Sequence, residues 1–231
     1  MTDKTVNITP EQLAHVSQWF QSLPEQKQRD LLSHCRMRQL NAKDMLFRRG
    51  DPFDGIYVLL QGGLWISGLD ISGAEIGLTV IEPGQWFGEI ALFDKQDRTH
   101  DVVALKPSIL LFLSANYLHV LTQEDPSWWR LFGTLLTSKM RLVFQNLEDR
   151  SLPSASVRLA RRLLLFYHSS EEVEVEIAIP QQQLGQLLSL SRQKTNQLLK
   201  QFEQEQIVRL AYGKIVVLDA NALHDIAFPS S

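Results

Sequence analysis

Between residues 38 and 113, short apolar runs alternate with turn signals, and this pattern constrains the fold more than any other feature of the chain. Ile56-Tyr57-Val58-Leu59-Leu60, Leu64-Trp65-Ile66, Ile76-Gly77-Leu78-Thr79-Val80 and Ile109-Leu110-Leu111-Phe112-Leu113 are of strand length. Arg49-Gly50-Asp51-Pro52, Gln61-Gly62-Gly63, Asp70-Ile71-Ser72-Gly73 and Glu82-Pro83-Gly84 punctuate them. Many short strands at this spacing predict an antiparallel sandwich or barrel.

Helical patterns flank this region. Thr9 can cap a helix, Pro10 suits its first turn, and Gln12 completes a capping-box spacing. A second short helix is expected from Pro24 to about Cys35. From Asp125 the apolar period is helical again, with Pro126 at a first helical position. Leu136, Met140, Val143 and Leu147 then form a seam spaced 4, 3, 4. Such a seam packs either on its own barrel or on a parallel partner helix of a homodimer, and the segment alone leaves both open. Ser151-Leu152-Pro153-Ser154 breaks the helix and reads as a hinge, because Pro153 disfavours helical geometry at Leu152. A helix over 157–168, an alternating strand over 173–179, two helices and a terminal hairpin are expected beyond it.

Composition limits the chemistry. Cys35 is the only cysteine of 231 residues, which excludes a disulfide framework and multi-cysteine metal or iron–sulfur sites within one chain. No apolar run approaches the ~20 residues of a membrane span, and the first residues lack the apolar core of a leader peptide, so a cytoplasmic protein without membrane contact is expected. No P-loop, GxSxG or HExxH motif and no supported carboxylate pair is present, so no enzymatic activity is expected. The net charge of −3 excludes a globally basic nucleic-acid binder, but residues 180–214 hold five basic against two acidic side chains. That local excess matters because a motif sits within it.

Residues 180–203 read as a helix-turn-helix. Leu184, Leu187 and Leu188 share one face of a first helix over 181–188. Gly185 falls where two crossing helices approach closely, and Ser191 caps a second helix that turns Thr195, Leu198, Leu199 and Phe202 inward. Arg192, Gln193, Asn196 and Gln197 are its early outward residues, of types that meet guanine and adenine edges bidentately. Lys200, further along, suits a phosphate, and Gln182 in the first helix joins the DNA-contact candidates. A hairpin turning near Gly213 supplies a wing.

Residues 87–99, FGEIALFDKQDRT, form a second motif. Gly88-Glu89 precede an apolar run able to start a helix, whose free N–H groups attract anions. Arg98 offers a fork to a phosphate, Thr99 a hydroxyl, and Glu89 an acceptor for a ribose hydroxyl. The competing reading is a structural Glu89–Arg98 ion pair with Gly88 serving a turn, and spacing alone favours it.

The two motifs in series resemble the cyclic-AMP receptor protein/fumarate–nitrate regulator family of bacterial transcription factors. FGEIALFDKQDRT is similar to that family's phosphate-binding cassette, LGQLLSLSRQKTNQLLK to its helix-turn-helix, and LEDRSLPSASVRLARRLL to its stretch from dimer helix through hinge. The resemblance implies an α+β fold: an N-terminal antiparallel jelly-roll-like barrel of the cyclic-nucleotide-binding type over 1–125, a dimerisation helix and hinge over 126–152, and a winged helix-turn-helix over 153–231. It implies a dimeric, sequence-specific transcription regulator acting on palindromic double-stranded DNA, with RNA polymerase as a partner and a cyclic nucleotide, first of all cyclic AMP, as effector. Carried over residue by residue, Gly88, Glu89, Arg98 and Thr99 match the nucleotide contacts, and Ile90 and Ala91 the amides that approach the phosphate. Arg192, Gln193 and Gln197 match the principal base readers.

The chain departs from the family pattern in places. His100 and Asp101 follow the cassette where small or β-branched residues are usual. The Thr-Ser pair that holds adenine in cyclic-AMP-responsive members falls on Val143 and Phe144, while Thr137-Ser138 lies six residues too early. Gln193 and Gln197 stand where those members use Glu and Arg. Two other readings stay open: a cyclic-nucleotide-binding regulatory protein without DNA function, and a constitutive DNA binder with a vestigial sensor. Haem also stays open as a ligand, with none of the six histidines specifically implicated.

Overall fold

The computed structural model describes residues 8–151, 154–168, 176–177, 179–211 and 213–229. The chain divides into two compact units, Met1–Leu142 and Val143–Ser231.

The first unit opens with α1 (Pro10–Val16), held by the expected capping box: Thr9 Oγ1 accepts from Gln12 N (3.3 Å) and Gln12 Oε1 from Thr9 N (2.8 Å). Short α2 (Gln18–Gln21) and α3 (Glu25–Ser33) follow. Eight strands come next: β1 (Arg36–Leu40), β2 (Met45–Phe47), β3 (Gly55–Gln61), β4 (Leu64–Leu69), β5 (Glu75–Ile81), β6 (Trp86–Phe87), β7 (Asp101–Ala104) and β8 (Ser108–Ser114). They form two antiparallel four-stranded sheets, ordered β1-β8-β3-β6 and β2-β7-β4-β5. One core lies between the sheets, where Tyr57, Leu59, Phe87, Leu110 and Phe112 meet Leu46, Leu64, Ile81, Val102 and Ala104. The other face of the first sheet presents Ile56, Val58, Leu111 and Leu113 to a second core with Leu13, Phe20 and Leu31 of the N-terminal helices. β3 and β8 are therefore covered on both faces, which is why they read as unbroken apolar runs.

α4 (Ile90–Asp94) lies between β6 and β7, and α5 (Ala115–Glu124) follows β8. α6 runs unbroken over Ser127–Arg150, and Asp125 Oδ1 accepts from Ser127 N at 2.9 Å at its start. The first turns of α6 pack on their own unit. Trp128, Leu131, Phe132 and Leu135 are buried in the second core. Met140, Val143 and Leu147 are about half exposed, at 50%, 56% and 52%. Among the described residues no helix is long and apolar enough to cross a membrane.

The second unit takes in the end of α6, which α7 (Ala155–His168) contacts: Arg161 Nη1 donates to Asp149 Oδ1 (2.8 Å) and Arg162 Nη2 to Asn146 Oδ1 (2.6 Å). Leu152 and Pro153, on which the hinge was placed, lie outside the described residues, as does most of the 173–179 strand, of which β9 (Glu176–Ile177) is described. α8 (Gln181–Leu188) has the expected bounds, and α9 (Arg192–Gln204) follows. β10 (Val208–Ala211) and β11 (Lys214–Val217) form the hairpin, and β9 pairs with β11. A helix absent from the sequence reading, α10 (Ala220–Ala227), is capped by Asp219 and packs on α7.

Candidate effector site and nucleic-acid interface

β6 ends at Gly88, whose φ of +89° suits a residue without Cβ. A Cβ there would stand 2.7 Å from Arg98 Nη1. Glu89 occupies the N-cap of α4 and is buried, with Ile90 and Ala91 as the first helical residues. The first N–H groups of a helix have no partner within it. Arg98 is pinned by its backbone: its N–H donates to Asp51 O and its carbonyl accepts from Gly50 N, both at 2.8 Å.

The sequence reading offered a Glu89–Arg98 ion pair as the structural alternative, and the structure pairs each residue elsewhere. Arg98 Nη1 donates to Gly88 O (3.0 Å), and Nη2 to Gly55 O (2.6 Å) and Asp54 Oδ1 (2.5 Å). Its guanidinium lies 4.2 Å from the ring centre of Phe47 and 5.1 Å from that of Phe53. Arg98 Nε is buried without a hydrogen-bond partner. Asp54 also accepts from the Tyr57 hydroxyl and from Arg38. Burial, with the Asp54 carboxylate beside it, raises the Tyr57 pKa. Glu89 instead faces Lys139 of α6, with Nζ 3.3 Å from Oε2. Burial lowers the Lys139 pKa, and Glu89 opposes that shift.

Asp54 and Lys139 were missed in the sequence. Asp54 lies between the turn over 49–52 and the strand that starts at Ile56, and Lys139 on a helix whose pattern shows only its apolar seam. Thr99 Oγ1 lies 2.8 Å from His100 Nδ1. Val143 and Phe144 are exposed, and neither has a side-chain hydrogen-bonding group. The hydroxyls of Thr137 and Ser138 donate to carbonyls of their own helix, Thr134 O (3.1 Å) and Leu135 O (2.7 Å). Among the described residues, no cluster of His, Cys, Asp or Glu is arranged to hold a metal ion.

In the second unit, Ser189 takes the left-handed conformation (φ +55°) between α8 and α9. Ser191 Oγ then accepts from Lys194 N (3.1 Å), as expected of the cap. A Cβ on Gly185 would lie 2.9 Å from both Leu190 O and Thr195 Oγ1, which is the close approach the motif requires. Gly185→Val is expected to destabilise this unit by ~1–3 kcal/mol, visible as a lowered urea midpoint. An unchanged midpoint would refute the close packing of these helices. Leu184, Leu187, Leu188, Leu198, Leu199 and Phe202 are buried beneath the pair. Gln182, Ser191, Arg192, Gln193, Gln197 and Lys200 are exposed. Asn196 differs, being half-buried with Nδ2 donating to Gln181 Oε1 (2.8 Å), so its amide is already engaged. Lys194, exposed in the first turn of α9, adds a cation that the sequence reading passed over.

A double-sheet sensor domain with a phosphate-type cassette, joined by a long helix to a winged helix-turn-helix, defines an effector-controlled DNA-binding transcription regulator. Residues 37–125 match the model of the cyclic nucleotide-binding domain, and residues 157–226 that of the Crp-like helix-turn-helix domain. The chain belongs to the cyclic-AMP receptor protein/fumarate–nitrate regulator family, a family of transcription regulators and not of enzymes. It is 25% identical over 207 residues to the cAMP-activated global transcriptional regulator CRP of Haemophilus influenzae, covering 85% of this chain and 92% of that protein. It is 26% identical over 196 residues to the cAMP-activated global transcriptional regulator Vfr of Pseudomonas aeruginosa, covering 81% and 91%. The solved structure of FixK2 from Bradyrhizobium japonicum superposes with a TM-score of 0.76 at 16% identity, covering 85% of this chain and 99% of that one.

Proposed function

We propose that this regulator is a cytoplasmic homodimer that takes a cyclic nucleotide, cyclic AMP first among candidates, at Gly88, Glu89, Ile90, Ala91, Arg98 and Thr99. The observation that carries the reading is the convergence on one loop of a buried arginine, a glycine without room for a side chain, and a helix start. The phosphate would meet the Arg98 side chain, the Thr99 hydroxyl and the amides of Ile90 and Ala91. A ribose hydroxyl would donate to Glu89, in exchange for or beside Lys139. Val143 and Phe144 offer a base only apolar contact, so discrimination among bases is expected to be weak. Calorimetric titration with cyclic AMP, cyclic GMP and cyclic CMP tests this, and a preference for cyclic AMP beyond about a hundredfold would overturn it. If no cyclic nucleotide binds, the constitutive DNA binder with a vestigial sensor takes its place.

The sensor domain covers 1–125, α6 and the following break serve dimerisation and hinge over 126–152, and the DNA-binding domain covers 153–231. α9 would lie in the major groove, with Arg192, Gln193 and Gln197 at base edges, Lys200 on phosphate, and Gln182, Ser191 and Asn196 supporting. RNA polymerase is the partner that transcriptional regulation calls for. Two α9 helices related by a two-fold axis call for half-sites ~34–36 Å apart. Arg192 should meet guanine O6 and N7 together, while Gln193 and Gln197 favour adenine. Arg192→Ala is expected to cost ~1–3 kcal/mol on the cognate site and relax one base pair. Lys200→Ala is expected to weaken all sequences alike and reduce the salt slope by about one. Binding-site selection checks both, and an unchanged preference with Arg192→Ala would remove Arg192 from the readers.

A further inference from the structure

His100 has no role in the reading above, yet it touches the site. Its Nδ1 lies 2.8 Å from Thr99 Oγ1, and the ring is half-buried. Two charged groups act on it: Arg49, in the turn before β3, and Asp101, the next residue in its own chain. They are tied together, with Arg49 N donating to Asp101 Oδ1 at 2.7 Å. β4 approaches the ring at Gly68. A Cβ on Gly68 would stand 3.8 Å from His100 Cδ2 and 3.7 Å from Leu78 Cδ1.

A hydroxyl has one proton to donate and two lone pairs. When neutral imidazole presents Nδ1 as acceptor, Thr99 donates its hydrogen bond to the ring and faces a ligand with lone pairs alone. In imidazolium both ring nitrogens are donors. Thr99 must then accept from His100, and its O–H is released toward an anionic oxygen. The same protonation places a positive charge beside the anion site.

We infer that His100 is a positioning residue of the anion site, acting through Thr99 to set whether that hydroxyl donates to the bound phosphate, and so ties effector affinity to pH. The inference rests on the cyclic-nucleotide reading of the cassette. The imidazole of the free protein titrates below its ordinary value, because it is buried and because Arg49 is near, with Asp101 pulling the other way. A bound anion raises that value. Binding therefore takes up a proton. Affinity climbs as pH falls through the bound-state pKa and levels off below the free-state one.

The test is calorimetric titration of cyclic AMP into the full chain between pH 5 and pH 8, for the unaltered protein, His100→Val and His100→Gln. The charge of a phosphodiester does not change over this range. The unaltered protein is expected to bind roughly three- to tenfold more tightly at the acid end, the effect of a pKa separation of up to about one unit. Both variants should bind with that slope flattened, because neither side chain titrates. Glutamine keeps an amide able to reach Thr99, so it guards against a loss of fold in the valine variant. The same slope in either folded variant overturns the inference and leaves the nucleotide reading standing. An unaltered protein that binds no cyclic nucleotide at any pH overturns the nucleotide reading and this inference with it.

Discussion

With Met140 and Val143 both changed to glutamate, the protein is expected to sediment as a monomer at micromolar concentration, where the unaltered chain sediments as a dimer. The seam of Leu136, Met140, Val143 and Leu147 repeats at 4, 3, 4 on one helix. Its last three members are about half exposed on the protomer, although Trp128, Phe132 and Leu135 of the same helix are buried. A parallel partner helix would cover them. Full burial of such a side chain is worth ~1.5–3 kcal/mol, and the double substitution removes four from a symmetric interface. Half exposure roughly halves that gain, but four carboxylates facing one another add their own cost. A loss of ~6–8 kcal/mol moves a nanomolar dimer toward the millimolar range. Affinity for a palindromic site should collapse with it, since one protomer reaches one half-site. The fold of each protomer should survive, because these side chains already face solvent. An unaltered chain that is monomeric at micromolar concentration would end the dimer proposal.

Arg98→Leu is expected to weaken both the nucleotide site and the fold. On the ligand side, a hydrogen bond to a charged group is worth ~1.5–3 kcal/mol, a loss of roughly ten- to a hundredfold in affinity. On the protein side, the side chain is 2% exposed and its fork serves Gly55 O, Gly88 O and Asp54. Two carbonyls lose a buried donor, at ~1–3 kcal/mol for each group left unsatisfied. Asp54 is 43% exposed and keeps Tyr57 and Arg38, so it adds little. A stability loss of ~2–4 kcal/mol should appear in urea unfolding. Arg98→Lys restores the charge without the fork and should recover part of the affinity. Nucleotide binding unchanged in Arg98→Leu would show that Arg98 is not the phosphate residue, and unchanged unfolding that its internal hydrogen bonds do not hold the site.

What the sequence disclosed depended on how local the determinant was. The bounds of α8, the Ser191 cap, the Gly185 contact and the Thr9 capping box each rest on residues a few positions apart, and each was legible. β3 and β8 were legible because burial on both faces makes them continuously apolar. β1, as Arg36-Met37-Arg38-Gln39-Leu40, and β7, as Asp101-Val102-Val103-Ala104, carry polar residues that hide them. α10 had a readable start in Asp219, and α5 in Ser114, but both follow strands closely and were absorbed into their neighbours. The candidate site was legible as a set of residues and not as a network. Spacing alone favours a pairing of Glu89 with Arg98. Their partners, Lys139 and Asp54, stand 50 and 44 positions away, brought close by the packing of α6 and the turn into β3.

The unbroken course of α6 has an arithmetic consequence. The two compact units divide at residues 142 and 143, within a helix that continues from Ser127 to Arg150. Each residue of an α-helix advances the chain by ~1.5 Å and turns it by about 100°. A residue inserted in the β4–β5 turn near Ser72 lengthens a surface loop and leaves the strands where they are. A residue inserted at the 142/143 junction turns the rest of the helix by about 100° against the part before it, so that Leu136 and Met140 no longer share a face with Val143 and Leu147. Only insertions near whole numbers of turns keep that apolar stripe in line, and about eighteen residues, five turns, restore it closely. The stripe is thus counted in angle as well as in length, and insertions at this point should be filtered by their remainder on division by the helical repeat.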